Sequence, residues 1–395
     1  MSKYDLNKRD TEALQARMDE VIDRTLAEKR LVGAVVQVAL NGTQCYNRAA
    51  GYADREQNRF MQDHTLFRLA SVSKPIVSTA ALVLVSQGRL GLDDRVDRWL
   101  PEFRPRLQNG EFAAVTIRHL LTHTAGLTYR FFQKEHDSYE NAGVSDGMDQ
   151  AGISLEENLR RIASVPLLYV PGTQWKYSIA TDVLGAVIAR SADAPLGEAV
   201  RSLVTGPLGM NDTGFIAVDA LRLSAAYAND LPEPRRLLDL DHIPFIEGTS
   251  GFRLAPGRAL DDTAYPSGGA GMVGSAGDFM LLLETLRKGG APLLPESLVR
   301  EMTTNQIGDL PMAYWPGRGF GLGFTVLKDP AAAQTSESPG TWRMGGTYGH
   351  SWFVDPVKQI SVVAFTNTAL EGMSGQFTTD LCEAVYEGLG DSKYR

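Results

Sequence analysis

The segment from Leu66 to Leu90, LFRLASVSKPIVSTAALVLVSQGRL, constrains the fold more than any other part of the chain. Only one charged residue interrupts the run from Val72 to Val85. A helix that is apolar on all sides is a buried helix. Pro75 is compatible with the first turn of such a helix, where proline is tolerated. The sequence therefore predicts a buried helix that starts near Ser71 and ends near Gly88.

Two polar residues of this segment, Ser71 and Lys74, are three positions apart, so a helix would place them on one face. Burial disfavours the charged form of a lysine and lowers its pKa. A neutral lysine beside a serine hydroxyl is a base beside a nucleophile. The alternative is a capping serine and a solvated lysine, and the spacing alone does not separate the two interpretations.

The composition is that of a large globular protein. The chain has 395 residues, of which 43% are hydrophobic, and this length is enough for two or three domains. Its 39 basic and 47 acidic residues give a net charge of −8 without a long basic run, so we expect no nucleic-acid partner. No apolar run reaches the roughly 18 residues of a membrane helix, so we expect no membrane partner.

The first residues, MSKYDLNKRDTEALQ, contain no apolar core of a signal peptide. Cys45 and Cys382 are the only cysteines, which suggests reduced thiols, although one pair could also form a disulfide. Together these features predict a cytoplasmic location. The oligomeric state does not follow from the sequence.

The two ends of the chain have the patterns of strands with one helix each. Apolar residues at helical spacing predict a helix from about Thr11 to Lys29. Asn41-Gly42 separates two β-like runs and is a strong hairpin signal. Beyond about Gly319, short strands alternate with turns, and a last helix is expected from Phe377 to Leu389.

The middle of the chain is predicted to be helical, with a long loop region from about Ala220 to Asp262 that could form a lid. We therefore predict an α+β fold with an antiparallel sheet flanked by helices. Residues 1–90 and 265–395 would form the sheet lobe, and residues 91–264 an inserted, mostly helical lobe with long loops.

Two other motifs compete for a functional role. Gly143–Gly147 matches G-x-S-x-G, the nucleophile elbow of α/β-hydrolases, with Ser145 at its centre. That elbow requires a buried strand before the serine, whereas the preceding residues KEHDSYENA are polar, so we interpret Ser145 as a loop residue. His119 and His123 have a metal-binding i, i+4 spacing, but no carboxylate or third ligand accompanies them. We expect structural histidines and no metal.

Five segments occur together in an informative order: Ser71-Val-Ser-Lys74, TIRHLLTHTAGL, Tyr177-Ser-Ile179, PSGGAGMVGSAGDF and MGGTYGHSWFVDP. This set resembles the serine β-lactamase and penicillin-binding-protein superfamily with its S-x-x-K motif. More closely, it resembles the family VIII, or esterase B-like, carboxylesterases. The resemblance implies two lobes with the active site in the cleft between them, a small-molecule ester substrate, and no cofactor.

The resemblance also implies residue roles. Ser71 would be the acylated nucleophile, Lys74 the adjacent base, and Tyr177 a second general base and acid. A phenol can act as a base near neutral pH if cations stabilise its anion. The oxyanion hole would consist of the backbone N–H groups of Ser71 and Thr347.

The expected substrate-binding residues are Tyr129, Met344, Gly345 and Gly346. The two glycines would let the strand edge approach the acyl group. Met344 stands where β-lactamases have lysine or histidine, so we expect uncharged acyl groups and ester hydrolysis. Ile179 likewise replaces the asparagine of Tyr-x-Asn. The alternatives are a β-lactamase, a D-amino-acid peptidase or amidase, and an acyltransferase that uses the same acyl-enzyme.

Overall fold

The computed structural model describes residues 8–149 and 152–390. Its helices are α1 (Lys8–Ala27), α2 (Ser73–Ser86), α3 (Ile117–Leu121), α4 (Ser138–Asn141), α5 (Leu155–Ser164), α6 (Ala180–Ala192), α7 (Leu196–Val200), α8 (Gly206–Leu208), α9 (Ala276–Arg287), α10 (Glu296–Met302), α11 (Glu371–Ser374) and α12 (Gln376–Gly388). Its strands are β1 (Gly33–Leu40), β2 (Thr43–Asp54), β3 (Arg59–Phe60), β4 (Phe67–Arg68), β5 (Tyr227–Ala228), β6 (Arg235–Arg236), β7 (Asp241–Ile243), β8 (Phe252–Leu254), β9 (Val273–Gly274), β10 (Arg318–Phe320), β11 (Thr325–Leu327), β12 (Trp342–Gly346), β13 (His350–Asp355), β14 (Ile360–Thr366) and β15 (Thr368–Ala369).

An eight-stranded antiparallel sheet joins strands from both ends of the chain, in the order β10-β11-β12-β13-β14-β1-β2-β3. The first hairpin is closed by Asn41 and Gly42, whose φ angles of 53° and 84° are those of a type I′ turn. The central strands β1, β13 and β14 are buried along their whole length. The predicted α+β fold is therefore confirmed, while the lobe boundaries at residues 90 and 265 stay a prediction.

Helices cover both faces of this sheet. On one face α1 and α12 pack against each other and bury residues such as Leu14, Val36 and Phe377. On the other face α9 packs on β1 and β14, and α2 packs against α6. Because α2 is enclosed on all sides, its side chains from Ser73 to Leu84 are all buried, as the apolar sequence predicts. None of the described helices has the length and apolar composition needed to cross a bilayer.

Two parts of the chain differ from the pattern expected from sequence. In the sequence, Thr116 is a plausible N-cap and Gly126 a plausible helix stop. The helix that follows Thr116 ends at Leu121 instead, because His123 has a φ of 56°, which an α-helix cannot continue through. The region from 220 to 262 contains the short strands β5 to β8, and β5 pairs with β15 and β6. This region is therefore paired with β15, the strand that directly follows β14 of the large sheet.

Candidate active site

Ser71 lies in a 3-10 turn, Ala70–Val72, which leads directly into α2. The turn is held by a hydrogen bond from the Leu69 N–H to the Met272 carbonyl (2.8 Å). Strand β12 approaches this turn closely, because a Cβ atom on Gly346 would overlap the Leu69 carbonyl oxygen. Glycine is thus required where the strand meets the turn, which brings β12 beside Ser71.

Lys74 extends from the first turn of α2 to Ser71 and is completely buried. Its Nζ lies 3.2 Å from Ser71 Oγ and donates to the Gly269 carbonyl at 2.8 Å. Burial lowers the pKa of Lys74 to about 7, although the carboxylates of Asp182 and Asp146 oppose this shift. A substantial fraction of the amine is therefore neutral near pH 7, with a lone pair available beside the serine hydroxyl.

Gly269 is the point where three groups beneath the serine converge. A Cβ atom there would lie 3.0 Å from Asp182 Oδ1, 3.0 Å from the Tyr129 hydroxyl and 3.6 Å from Lys74 Nζ. Asp182 also accepts hydrogen bonds from the Gly269 N–H (2.6 Å) and from Ser267 Oγ (2.8 Å). Burial raises the pKa of Asp182, and these two bonds and the Lys74 charge counteract it. Asp182 therefore helps to fix Gly269, whose carbonyl accepts the hydrogen bond from Lys74.

Tyr177 lies just before α6 and covers Lys74 from the cavity side. Its side chain is buried, its hydroxyl is hydrogen-bonded to Ser71, and Lys74 Nζ lies 4.7 Å from its ring centroid. Burial raises the pKa of the Tyr177 phenol well above its ordinary value, and the Ser71 bond only partly offsets this. The phenol consequently stays protonated at neutral pH and can donate its proton.

The free edge of β12 forms the wall opposite α2. Strand β11 pairs only with Trp342 and Arg343, so it leaves the last residues of β12 uncovered on that side. Thr347 follows immediately and lines the same cavity as Ser71. Both backbone positions expected to form the oxyanion hole therefore border one space.

That space is a cavity of about 400 Å³ with a mainly aromatic wall. Its lining includes Ser71, Phe131, Phe132, Tyr177, Phe245, Phe252, Tyr314, Trp315, Phe320, Met344, Gly345 and Thr347. Two residues expected to bind substrate are not part of the lining: Tyr129 and Gly346. Tyr129 is 2% exposed, and Lys74 Nζ lies 5.2 Å from its ring centroid, so it contacts the lysine from behind the wall. Gly346 packs against the Ser71 turn.

Sequence reasoning missed several polar residues at this site. Asp182 is an acidic residue in the apolar helix ATDVLGAVIARSA, and this is the same signal that drew attention to Lys74. Arg318 and Arg343 line the cavity as well, and Glu337 binds both. For these arginines the sequence holds little signal, because β10 and β12 come together only in the folded sheet.

The two histidines have protein partners. His119 Nδ1 accepts the Thr116 N–H at 3.2 Å and completes a capping box at the start of α3. His123 is buried, and its Nδ1 lies 3.1 Å from Ser178 Oγ. Within the described ranges no three or more histidine, cysteine or acidic side chains are arranged to hold a metal ion.

The serine of the G-x-S-x-G motif is structural. Ser145 follows the short helix α4, lies in a loop, is 1% exposed, and does not border the cavity. Its Oγ bonds Asp149 and accepts the Gly147 N–H (3.1 Å) and the Tyr265 hydroxyl (3.2 Å). The motif thus anchors a buried polar network, which continues through Tyr265 toward Asp182 (3.5 Å).

An α+β fold with helices on both faces of its sheet, and with a buried lysine between a serine and a cleft-facing tyrosine, defines a serine hydrolase of the S-x-x-K type. The beta-lactamase family model matches residues 18–383, and the chain belongs to this family. The fold, the family and the enzyme class predicted from the sequence are confirmed.

Within this family, the chain is similar to esterases and to an acyltransferase. Esterase EstB from Burkholderia gladioli is 50% identical over 378 residues, which are 95% of this chain and 96% of the relative. A solved structure described as EstCE1, a hydrolase with promiscuous acyltransferase activity, superposes with a TM-score of 0.93 at 46% identity and covers 95% of this chain and 99% of that one. Monacolin J acid methylbutanoyltransferase from Aspergillus terreus is 26% identical over 391 residues, covering 88% of this chain and 89% of the relative.

The structural role of Ser145 yields a prediction. Ser145→Ala removes a hydroxyl that satisfies several buried groups, so we expect it to lower the free energy of unfolding by about 1–3 kcal/mol. Chemical denaturation measures this loss. Ser164→Ala, at an exposed hydroxyl that donates to the Arg161 carbonyl, is the matched control and should change stability little. Equal stabilities of the two variants would contradict the assigned network.

Proposed function

We propose that this chain is a serine carboxylesterase that hydrolyses carboxylic esters of small molecules through an acyl-enzyme on Ser71. The observation that carries the proposal is the buried Lys74 amine, held between Ser71 Oγ and the Gly269 carbonyl at the base of an apolar cavity. The 50% identity to an esterase over nearly the whole chain supports the same activity.

The opposed pKa shifts of Lys74 and Tyr177 support different roles for the two groups. Lys74, with its pKa lowered to about 7, is the base, and Tyr177, with its pKa raised, is the acid. Ser71 Oγ attacks the ester carbonyl carbon as its proton moves to Lys74 Nζ. The backbone N–H groups of Ser71 and Thr347 stabilise the oxyanion that develops, a contribution typically worth a factor of about 10²–10³ for each donor.

Collapse of this intermediate breaks the bond to the alkoxy group. The leaving alkoxide takes the Tyr177 proton, and the phenolate is neutralised by the proton held on Lys74, so the alcohol departs neutral. Water then attacks the acyl-enzyme with Lys74 as base, and Ser71 Oγ recovers a proton as the acid is released. Each cycle consumes one ester and one water molecule and restores the starting protonation states.

Ester hydrolysis is favoured over β-lactam hydrolysis by the wall that β12 provides. Met344, which stands where a lysine or histidine would contact the β-lactam carboxylate, offers no strong hydrogen-bond donor. Acyl transfer to an alcohol is a second candidate, because the aromatic cavity is suited to an apolar acceptor and EstCE1 is described as having promiscuous acyltransferase activity.

A reducing compartment such as the cytoplasm fits the free thiols of Cys45 and Cys382.

Covalent labelling tests which serine is the nucleophile. We expect a fluorophosphonate probe to modify Ser71, located by peptide mass spectrometry, and Ser71→Ala to abolish hydrolysis of 4-nitrophenyl butyrate. Ser145→Ala should retain both labelling and activity, scaled to its folded fraction. Modification of Ser145 would overturn the assignment, and fast nitrocefin turnover with negligible ester turnover would overturn the esterase proposal.

The pH dependence of kcat/KM tests the role of Lys74. Since the neutral amine is the base, kcat/KM should rise as the pH rises through about 7. Asp182→Asn removes the carboxylate that most favours the ammonium form, so the Lys74 pKa falls and the acid limb moves to lower pH. The pH–rate profiles of both proteins on one neutral ester measure the shift.

Asp146→Asn is the control for this experiment. The Asp146 carboxylate also favours the ammonium form of Lys74, but less strongly than Asp182, and burial raises its own pKa to about 7. The acid limb should therefore move less in Asp146→Asn than in Asp182→Asn. An acid limb that stays in place in Asp182→Asn, at reduced rate, would assign Asp182 a purely structural role.

A further inference from the structure

The charge on the cavity wall is opposite in sign to that of the protein. The whole chain carries a net charge of −8, yet among the described residues the cavity is lined by two arginines, Arg318 and Arg343, and by no aspartate or glutamate. Thr325, Ser374 and Thr378 line the cavity as well and are polar. One part of an otherwise aromatic cavity is therefore cationic.

The two arginines share one carboxylate. Arg318 Nη2 lies 2.6 Å from Glu337 Oε2, and Arg343 Nη1 lies 3.2 Å from Glu337 Oε1. Glu337 is fully buried, also accepts Thr335 Oγ1 at 3.2 Å, and is ionised because its two guanidinium partners lower its pKa. Two positive charges thus share one negative charge.

Two further titratable groups face this cluster in the described part of the chain. Cys382 and Tyr386 face this cluster from α12, but burial raises the pKa of the Cys382 thiol to about 12 and raises that of the Tyr386 phenol further. Both are neutral at pH 7. The cluster of Arg318, Arg343 and Glu337 therefore carries one net positive charge.

Both guanidinium groups have hydrogen-bond donors to spare. Arg318 is 92% buried as a side chain, and its Nη1 has no hydrogen-bond partner in the described part of the chain. Arg343 is 23% exposed and bonds Glu337 through a single N–H of the five that a guanidinium offers. A partly desolvated guanidinium with N–H donors still free is a strong ligand for a carboxylate.

We propose that Arg343, supported by Arg318, binds a second, ionised carboxylate on the acyl half of the ester, so that the enzyme acts on monoesters of dicarboxylic acids. This proposal rests on the proposed esterase function and names its substrate class. Strand β12 supports the acyl placement, since Met344 and Gly345 line the cavity between Arg343 and Thr347. The two positions are four residues apart in sequence, which corresponds to roughly 13 Å along an extended chain and suits a medium-length diacid.

The test compares anionic and neutral ester substrates of matched size. These are the mono-4-nitrophenyl esters of adipic and suberic acid and the neutral methyl 4-nitrophenyl diesters of the same acids. We expect the wild-type protein to favour the anionic ester of at least one length by about tenfold or more in kcat/KM. Added salt should reduce this preference.

Variants test whether Arg343 causes the preference for the anionic ester. Arg343→Met should lower kcat/KM for the anionic ester about tenfold more than for the neutral diester, so that the preference disappears, and the remaining turnover of the neutral diester shows that the variant is folded. Arg343→Lys should retain part of the preference, because the charge remains without the planar fork. Arg300→Met, at an exposed arginine on α10, removes the same charge elsewhere and should behave as wild type.

Several outcomes would overturn the proposal: equal kcat/KM for the anionic and neutral esters, a preference that survives in Arg343→Met, or its loss in Arg300→Met. A preference only for esters with the carboxylate on the leaving group, tested with 3-carboxy-4-nitrophenyl butyrate, would overturn the acyl placement. Failure to hydrolyse even the neutral esters would instead overturn the esterase function on which the proposal rests.

Discussion

The structure of the site depends on one buried amine. Lys74 has no exposed surface, and it is retained in the core because Ser71 and the Gly269 carbonyl accept its hydrogen bonds. An unpaired buried ammonium would be far too costly, so such a group either finds partners or loses its proton. Here both occur, since the partners hold the amine in place while burial brings its pKa to about 7. A positioned amine whose pKa lies near neutral pH follows from these two effects.

A buried hydrogen-bond network connects the position of Lys74 to distant parts of the chain. Asp182 on α6 accepts hydrogen bonds from the Gly269 N–H and from Ser267, and Tyr265 links it to the Ser145 loop. A buried polar network of this kind is stable only when its members are satisfied. The G-x-S-x-G segment is therefore better explained as one end of this buried network than as the site of a nucleophile.

The sequence predicts those features that burial and local geometry determine. The apolar run around Lys74, the Asn41-Gly42 hairpin and the Thr116 cap each act over a few residues, and the structure contains all three. Features made by distant segments were not predictable in the same way. Tyr129 was expected in the cavity, but its burial behind Lys74 depends on Gly269, which is 140 positions away in the chain. Family resemblance identified Tyr177, whose own sequence neighbourhood is ordinary.

Two consecutive residues of β12, Arg343 and Met344, favour different substrates. Met344 alone suggests an uncharged acyl group, because it replaces a cation of the β-lactamase pattern. Arg343 precedes it, and successive side chains of a strand point to opposite faces. The cavity borders both residues at the free edge of β12. The charge that Met344 lacks is therefore present one residue earlier, bound with Arg318 to Glu337. A substrate that reaches past the methionine meets a cation, so the length of the acyl group decides whether its charge matters.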